Sequence, residues 1–269
     1  MMQKIKVVVN GALGNMGREV IQAVRAEEDL LLVGAVDLQE QEGDLGLLLG
    51  QGPMGLEFSR DLEEVLARES PQVVIDFTTP TAVMANIRKI LKFGARPVVG
   101  TTGITRADLK QVEGWVEEAG VGCFMAPNFA IGAVLLAVLA SRAAPYMESA
   151  EIIELHHPGK ADAPSGTAIW AADMLAEGLP EGFAPSSKKL LEKIPGTRGG
   201  SHRGIHIHSL RLPGLIAHHE IILGCQGQTL TLKHESLNRK SFIPGVLMAI
   251  RKVMEEDRLI YGLEKIIDI

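Results

Sequence analysis

A glycine loop between a strand pattern and a helix pattern opens this chain. Residues 5–10 form an apolar, β-branched run, Gly11-Ala-Leu-Gly14-Asn15-Met16-Gly17 follows as a GxxGxxG variant, and apolar residues then recur at helical spacing. Such glycines let the backbone approach a pyrophosphate at a helix N-terminus. Asp37 lies 20 residues beyond Gly17, where a carboxylate accepts hydrogen bonds from ribose hydroxyls. The arrangement predicts a dinucleotide-binding unit; the alternative is a simple turn with an incidental acidic residue.

The first half of the chain repeats this strand and helix alternation, which predicts a parallel sheet with right-handed crossovers. The continuous apolar run Val7-Val8-Val9 is typical of a strand covered on both faces. The interior is expected to be mainly aliphatic, because 46% of the residues are hydrophobic and only 4% are aromatic. The predicted strands are 5–10, 31–37, 73–77, 97–99 and 121–125, and the predicted helices are 14–27, 61–68, 81–93 and 105–119.

The pattern changes after Asn128. An apolar helix over 131–144, a strand over 151–155 and a helix over 167–176 precede a polar stretch, 178–203, which is predicted to be an irregular excursion. Three strand patterns follow, at 206–212, 219–223 and 229–234, and indicate an open-faced mixed sheet. One face of such a sheet needs a cover, which predicts a homo-oligomer. A final helix, 243–256, resumes the aliphatic character of the first half.

These patterns predict an α/β chain of two domains. A Rossmann-type, parallel-sheet dinucleotide-binding domain is expected at 1–127 and 241–269, and a smaller α+β substrate-binding and oligomerisation domain with a mixed sheet at 128–240.

Charge and cysteine content exclude several classes of partner. The formal net charge of −6 and the absence of a long basic run argue against nucleic-acid binding. Cys123 and Cys225 form no CxxC pair, and the N-terminus has no signal-peptide pattern, so a cytoplasmic location is expected. The longest apolar run, around residues 130–140, is too short to span a bilayer, and no membrane association is predicted.

The stretch from Glu154 to Ala168 concentrates proton donors and anion-binding groups. His156, His157 and Lys160 follow an extended run, and Pro158-Gly159 predicts a turn between them. Ser165-Gly166-Thr167 then opens a helix pattern, whose unpaired backbone N–H groups suit a carboxylate or a phosphate. Each feature alone is also typical of an ordinary surface histidine or a helix cap. Their coincidence in fifteen residues predicts a catalytic loop.

Two later strand ends carry similar signals. Gly100-Thr101-Thr102-Gly103 follows one predicted strand, and Ala126-Pro127-Asn128-Phe129 follows another. Both are expected at the carboxyl edge of the parallel sheet, where open α/β folds bind ligands. The first could also be only a turn and a helix cap.

Taken together, these motifs closely resemble the dihydrodipicolinate reductase family, the 4-hydroxy-tetrahydrodipicolinate reductases of the diaminopimelate and lysine pathway. The most specific part of the resemblance is Glu154-Leu-His156-His157 with Lys160, Asp162 and Pro164-Ser165-Gly166-Thr167-Ala168. The segments 10–17, Asp76-Phe77-Thr78, 100–103 and 128–129 support it. It covers the whole chain. It implies a cofactor domain completed by the C-terminal helix and a tetramer joined through the substrate-domain sheets.

The resemblance also implies roles for particular residues. His156 and Lys160 would be catalytic, with Lys160 as the proton donor, and substrate would contact His157, Ser165, Gly166 and Thr167. The cofactor would contact Gly11, Ala12, Leu13, Gly14, Asn15, Met16, Asp37, Gly100, Thr101, Thr102, Ala126, Pro127, Asn128 and Phe129.

The implied reaction is NAD(P)H-dependent reduction of a small cyclic dicarboxylate, and no metal is expected. NADH is expected to be preferred over NADPH, because no basic residue follows Asp37 directly to meet a 2′-phosphate. The departures from the family pattern are Leu13 in the glycine loop, Pro127, and this lack of a basic residue. Arg239 is either a further positive contact to substrate or an ordinary surface arginine.

Three other functions remain open from the residues alone. One is a different nicotinamide-dependent reductase, and the second is a non-catalytic NAD-binding sensor, which would not need the His-His-Lys loop. The third is a metal enzyme that uses His206, His208, His218 and His219, although no carboxylate stands at clear ligand spacing beside them.

Overall fold

A computed structural model describes residues 4–39, 41, 43–179, 183 and 191–268. The chain forms two compact units: Met1–Phe129 with Phe242–Ile269, and Ala130–Ser241. The first unit is therefore built from two separate segments of the chain. Of the polar stretch predicted to be irregular, residues 180–182 and 184–190 lie outside the described residues.

The first unit is built on a seven-stranded sheet in which all the recorded strand pairs are parallel. The strand order is β12-β6-β5-β4-β1-β2-β3. The predicted Rossmann-type architecture is confirmed. The strands are β1 (Ile5–Asn10), β2 (Leu30–Val36), β3 (Phe58–Ser59), β4 (Val73–Asp76), β5 (Arg96–Val99), β6 (Cys123–Met125) and β12 (Leu259–Tyr261).

Helices cover both faces of this sheet, which is why its strands are apolar without alternation. One face packs against the third, fourth and fifth helices through Val65, Ile87 and Val116, and the other face packs against the first and the last helix. The helices of the unit are α1 (Asn15–Ala26), α2 (Leu45–Leu48), α3 (Leu62–Glu69), α4 (Val83–Lys92), α5 (Arg106–Ala119) and α8 (Ile243–Val253).

The chain winds outward in two directions from the middle of this sheet. It runs from β1 through β2 to β3 on one side, and from β4 through β5 to β6 on the other, so β1 and β4 are neighbours at the point where the direction reverses. Open α/β folds bind ligands at the carboxyl edge of the sheet beside such a reversal. The segments that follow β1, β2, β4, β5 and β6 all start at this edge.

The second unit is a mixed five-stranded sheet with the order β11-β10-β7-β9-β8. The pair β7 and β9 is parallel, and the other pairs are antiparallel. The predicted mixed sheet is thus confirmed. Its strands are β7 (Ser149–His156), β8 (Gly200–His202), β9 (Ile205–Arg211), β10 (Ala217–Cys225) and β11 (Gln228–Ser236).

Two helices cover one face of the mixed sheet: α6 (Ile131–Ala143) and α7 (Gly166–Glu177). Ile152, Ile207 and Ile221 point to this face and pack against the helices. We call this the inner face. The outer face carries the alternate residues of the strands, including the half-buried Ile153 and Ile222.

The sequence patterns missed only short elements. Helix α2 has four residues, and β3, β8 and β12 have two or three. A run that short shows no measurable period, and neighbouring strands hold it in place. Among the described residues, no helix has both the length and the apolar character that a bilayer span requires.

The burial of a leucine side chain in the second unit predicts how much stability is lost when it is replaced by alanine. Leu175 on α7 is wholly buried, whereas Leu139 on α6 is 44% exposed. We expect Leu175→Ala to lower the free energy of unfolding by about 2–5 kcal/mol, because it removes apolar contacts and leaves a cavity. The matched Leu139→Ala should cost less than about 1 kcal/mol. Urea denaturation of both variants tests this, and equal losses would contradict the assigned core.

Candidate active site

The glycine loop after β1 is shaped by close backbone approaches. Gly11 has a φ of +82°, and a Cβ there would lie 2.5 Å from the carbonyl oxygen of Phe77. A Cβ on Gly17 would lie 2.1 Å from the carbonyl oxygen of Gly11, so only glycine lets α1 pack this close to the loop. Helix α1 begins at Asn15, directly after this turn. Its N-terminal N–H groups therefore lie at the carboxyl edge of the sheet, as an anion site requires.

Asp37 lies beside the glycine loop. The backbone N–H of Leu13 donates to its Oδ2 at 3.0 Å, and that of Gln39 donates to Oδ1 at 3.2 Å. The Leu13 side chain is buried, and its backbone carbonyl accepts a hydrogen bond from Arg18 at 2.9 Å. The departure from the usual glycine at this position is thus accommodated, because the loop uses Leu13 through its backbone.

A buried carboxylate, Asp76, joins the ends of three neighbouring strands. Its side chain accepts from the Asn10 amide at 2.8 Å, the Asn86 amide at 2.8 Å, and the Thr101 hydroxyl at 3.0 Å. The backbone N–H and the hydroxyl of Thr78 donate to it at 3.1 Å and 2.7 Å. Because Asn10 precedes the glycine loop and Thr101 belongs to the 100–103 turn, Asp76 holds both predicted cofactor segments to one point.

Aromatic contacts support the segment after β6. The ring centroids of Phe77 and Phe129 lie 5.9 Å apart. The Phe77 ring also packs against Gly100 so closely that a Cβ there would lie 2.1 Å from a ring carbon. The N–H of Ala126 donates to the carbonyl of Val99 at 3.1 Å. The 100–102 and 126–129 segments therefore begin side by side at the edge that also carries the glycine loop.

In the second unit, β7 places Glu154 and His156 on the inner face. His156 Nδ1 forms a short hydrogen bond to Glu154 Oε2. The guanidinium of Arg211 on β9 binds both oxygens of Glu154, at 3.0 Å and 2.8 Å. Burial by itself would raise the pKa of Glu154, but the hydrogen bonds from His156 and Arg211 outweigh it and lower the pKa to about 2.

The loop after β7 carries Lys160 back toward the same cluster. The N–H of Lys160 donates to the carbonyl of His157 at 3.1 Å, which closes the predicted turn. The Lys160 ammonium pairs with Asp162 at 2.7 Å and lowers the pKa of that carboxyl. Arg211 donates to the backbone carbonyl of Asp162 at 2.6 Å, so the loop is tied to the sheet.

Ser165 and His219 complete the cluster at the start of α7. The Ser165 hydroxyl accepts from the N–H of Ala168 at 3.2 Å, as an N-cap residue does, and lies 3.2 Å from His219 Nε2. The His219 and His156 rings meet edge to face, with centroids 5.5 Å apart. The pKa of His219 is lowered to about 3, mainly by burial and secondly by electrostatic repulsion from His156.

The predicted site residues thus fall into two groups, one in each unit. The sequence analysis did not single out Arg211, named Glu154 only as part of the family motif, and considered His219 only in the metal alternative. Period-two alternation along β7 could have placed Glu154 on the face of His156. Arg211 and His219 come from other strands, and their contact with Glu154 depends on a register that the sequence does not reveal.

The histidines of the metal alternative do not converge. His206 and His208 point to the outer face, where His208 binds Glu151 at 2.7 Å. His218 lies 3.4 Å from Glu235, while the adjacent His219 points to the inner face. Within the described part of the chain, no group of three or more histidine, cysteine or acidic residues could hold a metal ion. Arg239 is exposed in a short 3-10 turn.

Comparison with known proteins identifies the family. The model "Dihydrodipicolinate reductase, N-terminus" matches residues 5–129, and "Dihydrodipicolinate reductase, C-terminus" matches residues 132–267. The chain belongs to the dihydrodipicolinate reductase family. The resemblance predicted from the sequence is confirmed, and with it the prediction that the chain is an oxidoreductase.

Full-length relatives agree with this assignment. The 4-hydroxy-tetrahydrodipicolinate reductase of Gloeothece citriformis is 50% identical over 98% of both chains, and that of Desulfitobacterium hafniense is 44% identical over 99% of this chain and 100% of the other. A dipicolinate-bound dihydrodipicolinate reductase from Paenisporosarcina sp. TG-14 has a TM-score of 0.85 at 44% identity, and covers 99% of this chain and 100% of that one. An amine dehydrogenase from Mycobacterium smegmatis shares the fold alone, with 14% identity, a TM-score of 0.71, and 98% and 96% coverage.

The donors around Asp76 predict a strong effect of a near-isosteric change. Asp76→Asn places an amide NH2 against at least one of the donors, so we expect the free energy of unfolding to fall by at least about 2 kcal/mol. Affinity for the reduced dinucleotide, read by fluorescence titration, should fall with it. Asp61→Asn is the matched control, because Asp61 caps α3 and asparagine caps equally well. Equal stability of the two variants would contradict the role of Asp76.

The lowered pKa of His219 predicts a loss of stability in acid. An unfolded histidine takes up a proton as the pH falls through about 6.5, whereas folded His219 stays neutral to about pH 3. The free energy of unfolding should therefore be about 2 kcal/mol lower at pH 5 than at pH 7.5 on account of this group. Urea denaturation at both pH values should show a smaller difference in His219→Gln. A full difference in His219→Gln would contradict the assignment.

Proposed function

We propose that this chain reduces 4-hydroxy-tetrahydrodipicolinate to tetrahydrodipicolinate, with loss of water, at the expense of NAD(P)H. The observation that carries the proposal is the coincidence of two features in a chain of this family. One is a glycine loop with a partnered acidic residue, Asp37, in the first unit. The other is a cluster of His156, Lys160 and the N-terminus of α7 in the second unit.

The first unit suits a nicotinamide dinucleotide. The glycines at positions 11 and 17 let the turn pack closely against Phe77 and against itself, and the N-terminus of α1, which begins directly after the turn, supplies N–H donors for a pyrophosphate. Asp37 would accept hydrogen bonds from the adenosine ribose. NADH is the proposed preferred cofactor, since a 2′-phosphate would meet this carboxylate. The residues proposed to contact the cofactor are Gly11, Ala12, Leu13, Gly14, Asn15, Met16, Asp37, Gly100, Thr101, Thr102, Ala126, Pro127, Asn128 and Phe129.

The second unit suits a small dicarboxylate. Ser165 caps α7 with its side chain, and the next residues, Gly166 and Thr167, begin a twelve-residue helix. Backbone N–H groups at such a terminus bind carboxylate oxygens. His157 would add a further donor. The dicarboxylate carried by the Paenisporosarcina relative is an aromatic analogue of the proposed substrate.

The proposed chemistry needs one proton donor and one stabilising cation. Elimination of water removes the 4-hydroxyl group together with a C3 hydrogen and leaves a C3–C4 double bond conjugated with the imine, and a bound nicotinamide would then supply the hydride to ring C4. Electron density then builds on the conjugated C3–imine system, which a nearby cation stabilises. We assign delivery of the proton at C3 to the Lys160 ammonium, and charge stabilisation or proton relay to His156. Asp162, paired with Lys160 at 2.7 Å, would hold the ammonium within the loop.

Assembly and location are part of the same proposal. The half-buried outer face of the mixed sheet, with Ile153 and Ile222, supports a homo-oligomer, and a tetramer is the proposed order. Two free cysteines, Cys123 and Cys225, agree with a cytoplasmic location.

A spectrophotometric assay with the condensation product of pyruvate and aspartate semialdehyde tests the activity. We expect oxidation of NADH with a higher kcat/KM than of NADPH. Lys160→Ala should lower kcat by at least about 100-fold, because it removes the proton donor, while NADH affinity changes little. Lys110→Ala, an exposed lysine on α5, is the control and should behave as the parent. Binding of NADH without any turnover in the parent would instead favour the non-catalytic sensor, and an unchanged kcat in Lys160→Ala would refute the role of Lys160.

A further inference from the structure

Glu154 is a carboxylate in a place where packing alone would favour an apolar residue. Its side chain is wholly buried on the inner face, directly opposite His219 of β10 and Ser209 of β9. The neighbours before it along this face of β7 are Ala150 and Ile152. Removing a carboxylate from water costs several kcal/mol, and an apolar replacement of such a buried ion pair is often neutral for stability. The stability of the core therefore does not explain why this position holds a carboxylate.

The hydrogen bonds of Glu154 determine what its neighbour can do. An ionised carboxylate only accepts, so the short bond to His156 places the proton on Nδ1 of the ring. Nε2 is then the ring nitrogen left for a ligand. Arg211 makes a two-point contact with the carboxylate, at 3.0 Å and 2.8 Å, and the Ser209 side chain also hydrogen-bonds it. The two-point contact fixes the carboxylate plane and so the plane of the His156 ring.

Arg211 also acts on the other side of the cluster. The nitrogen that binds Glu154 Oε1 donates to the Asp162 carbonyl at 2.6 Å. Asp162 in turn holds Lys160 at 2.7 Å. One guanidinium thus connects Glu154, the partner of His156, with the segment that carries Lys160.

We propose that Glu154 and Arg211 are positioning residues of the reaction: Glu154 fixes the Nδ1–H tautomer and ring plane of His156, and Arg211 holds Lys160 in register with it. The proposal rests on the proposed function for its effect on turnover. Its effect on the His156 ring is a property of the unliganded protein.

A paired apolar replacement separates positioning from folding. Glu154→Leu with Arg211→Met removes both charges together, so neither is left buried without a partner. We expect this double variant to fold, with circular dichroism and NADH affinity close to those of the parent. Its kcat should fall by about 100-fold, because His156 and Lys160 lose their fixed geometry. The KM for NADH should change by less than about threefold.

The ring tautomer gives a readout that does not depend on turnover. In protein labelled with ¹⁵N-histidine, the two ring nitrogens of neutral His156 have different shifts, and a His156→Asn variant assigns them. We expect the proton on Nδ1 in the parent and on Nε2, the position that a free imidazole prefers, in the double variant. A parent with its proton on Nε2, or a double variant that keeps it on Nδ1, would overturn the proposal.

A control and a milder variant complete the experiment. Arg251→Met with Asp29→Asn removes another two-point arginine–carboxylate pair, at 2.8 Å and 2.9 Å, at the amino end of β2, and should leave kcat unchanged. If the double variant does not fold, Arg211→Lys replaces it: lysine keeps the charge but cannot make the two-point contact with Glu154 and the bond to Asp162 together. We expect a kcat at least tenfold lower with unchanged NADH affinity, and a kcat within threefold of the parent would overturn the proposal.

A parent that never oxidises NADH with the substrate would refute the proposed function instead, and the tautomer result would still decide the positioning of His156.

Discussion

A buried carboxylate must be surrounded by donors, and this constraint organises both units of the chain. Asp76 in the first unit and Glu154 in the second are both wholly buried. An isolated charge there would cost more than a domain can tolerate, so the surrounding segments must converge with hydrogen-bond donors. Each convergence brings together chain segments that are far apart in sequence. Several of the proposed cofactor and substrate residues lie on the segments that donate hydrogen bonds to these two carboxylates.

The two carboxylates are surrounded by different kinds of hydrogen-bond donor. Asp76 is satisfied by neutral donors, namely amides, hydroxyls and a backbone N–H. Glu154 is satisfied by an arginine and a histidine, which lower its pKa despite its burial. The first arrangement anchors loops without placing a cation near the proposed cofactor. The second carries the Arg211 guanidinium into the region proposed to bind a dianionic substrate, where it complements the substrate's charge.

His219 adds a side chain to the second cluster without adding a positive charge. Its neutral ring lies beside His156 and against the Ser165 hydroxyl, and its lowered pKa keeps it from adding a further positive charge inside the unit. The N-cap of α7 is therefore oriented by an uncharged neighbour. The helix terminus proposed to hold carboxylate is connected by side-chain contacts to the ring proposed to act in the reaction.

Much of the architecture could be predicted from the sequence, because it depends on local patterns. The run 5–10, the glycines after it and the repeated alternation of strand and helix indicate a Rossmann-type sheet, and the position of each strand end predicts which loops share an edge. The His-His-Lys loop and the Ser165 cap could also be recognised, since a turn and a helix start are determined by neighbouring residues. Elements of two to four residues, such as β3 and α2, were missed because they have no period and depend on their neighbours.

The sequence by itself determined the two kinds of sheet, the glycine loop and the chemical groups of the catalytic loop, since spacing along the chain is enough to specify these. Only the tertiary structure decided which groups meet. The pairing of β7 with β9 and β10 places Arg211 beside Glu154 and His219 beside His156, and the order of the parallel strands places Asn10 and Thr101 around Asp76. Strand register results from the packing of a whole face, and a shift by one residue would turn each of these side chains to the other side.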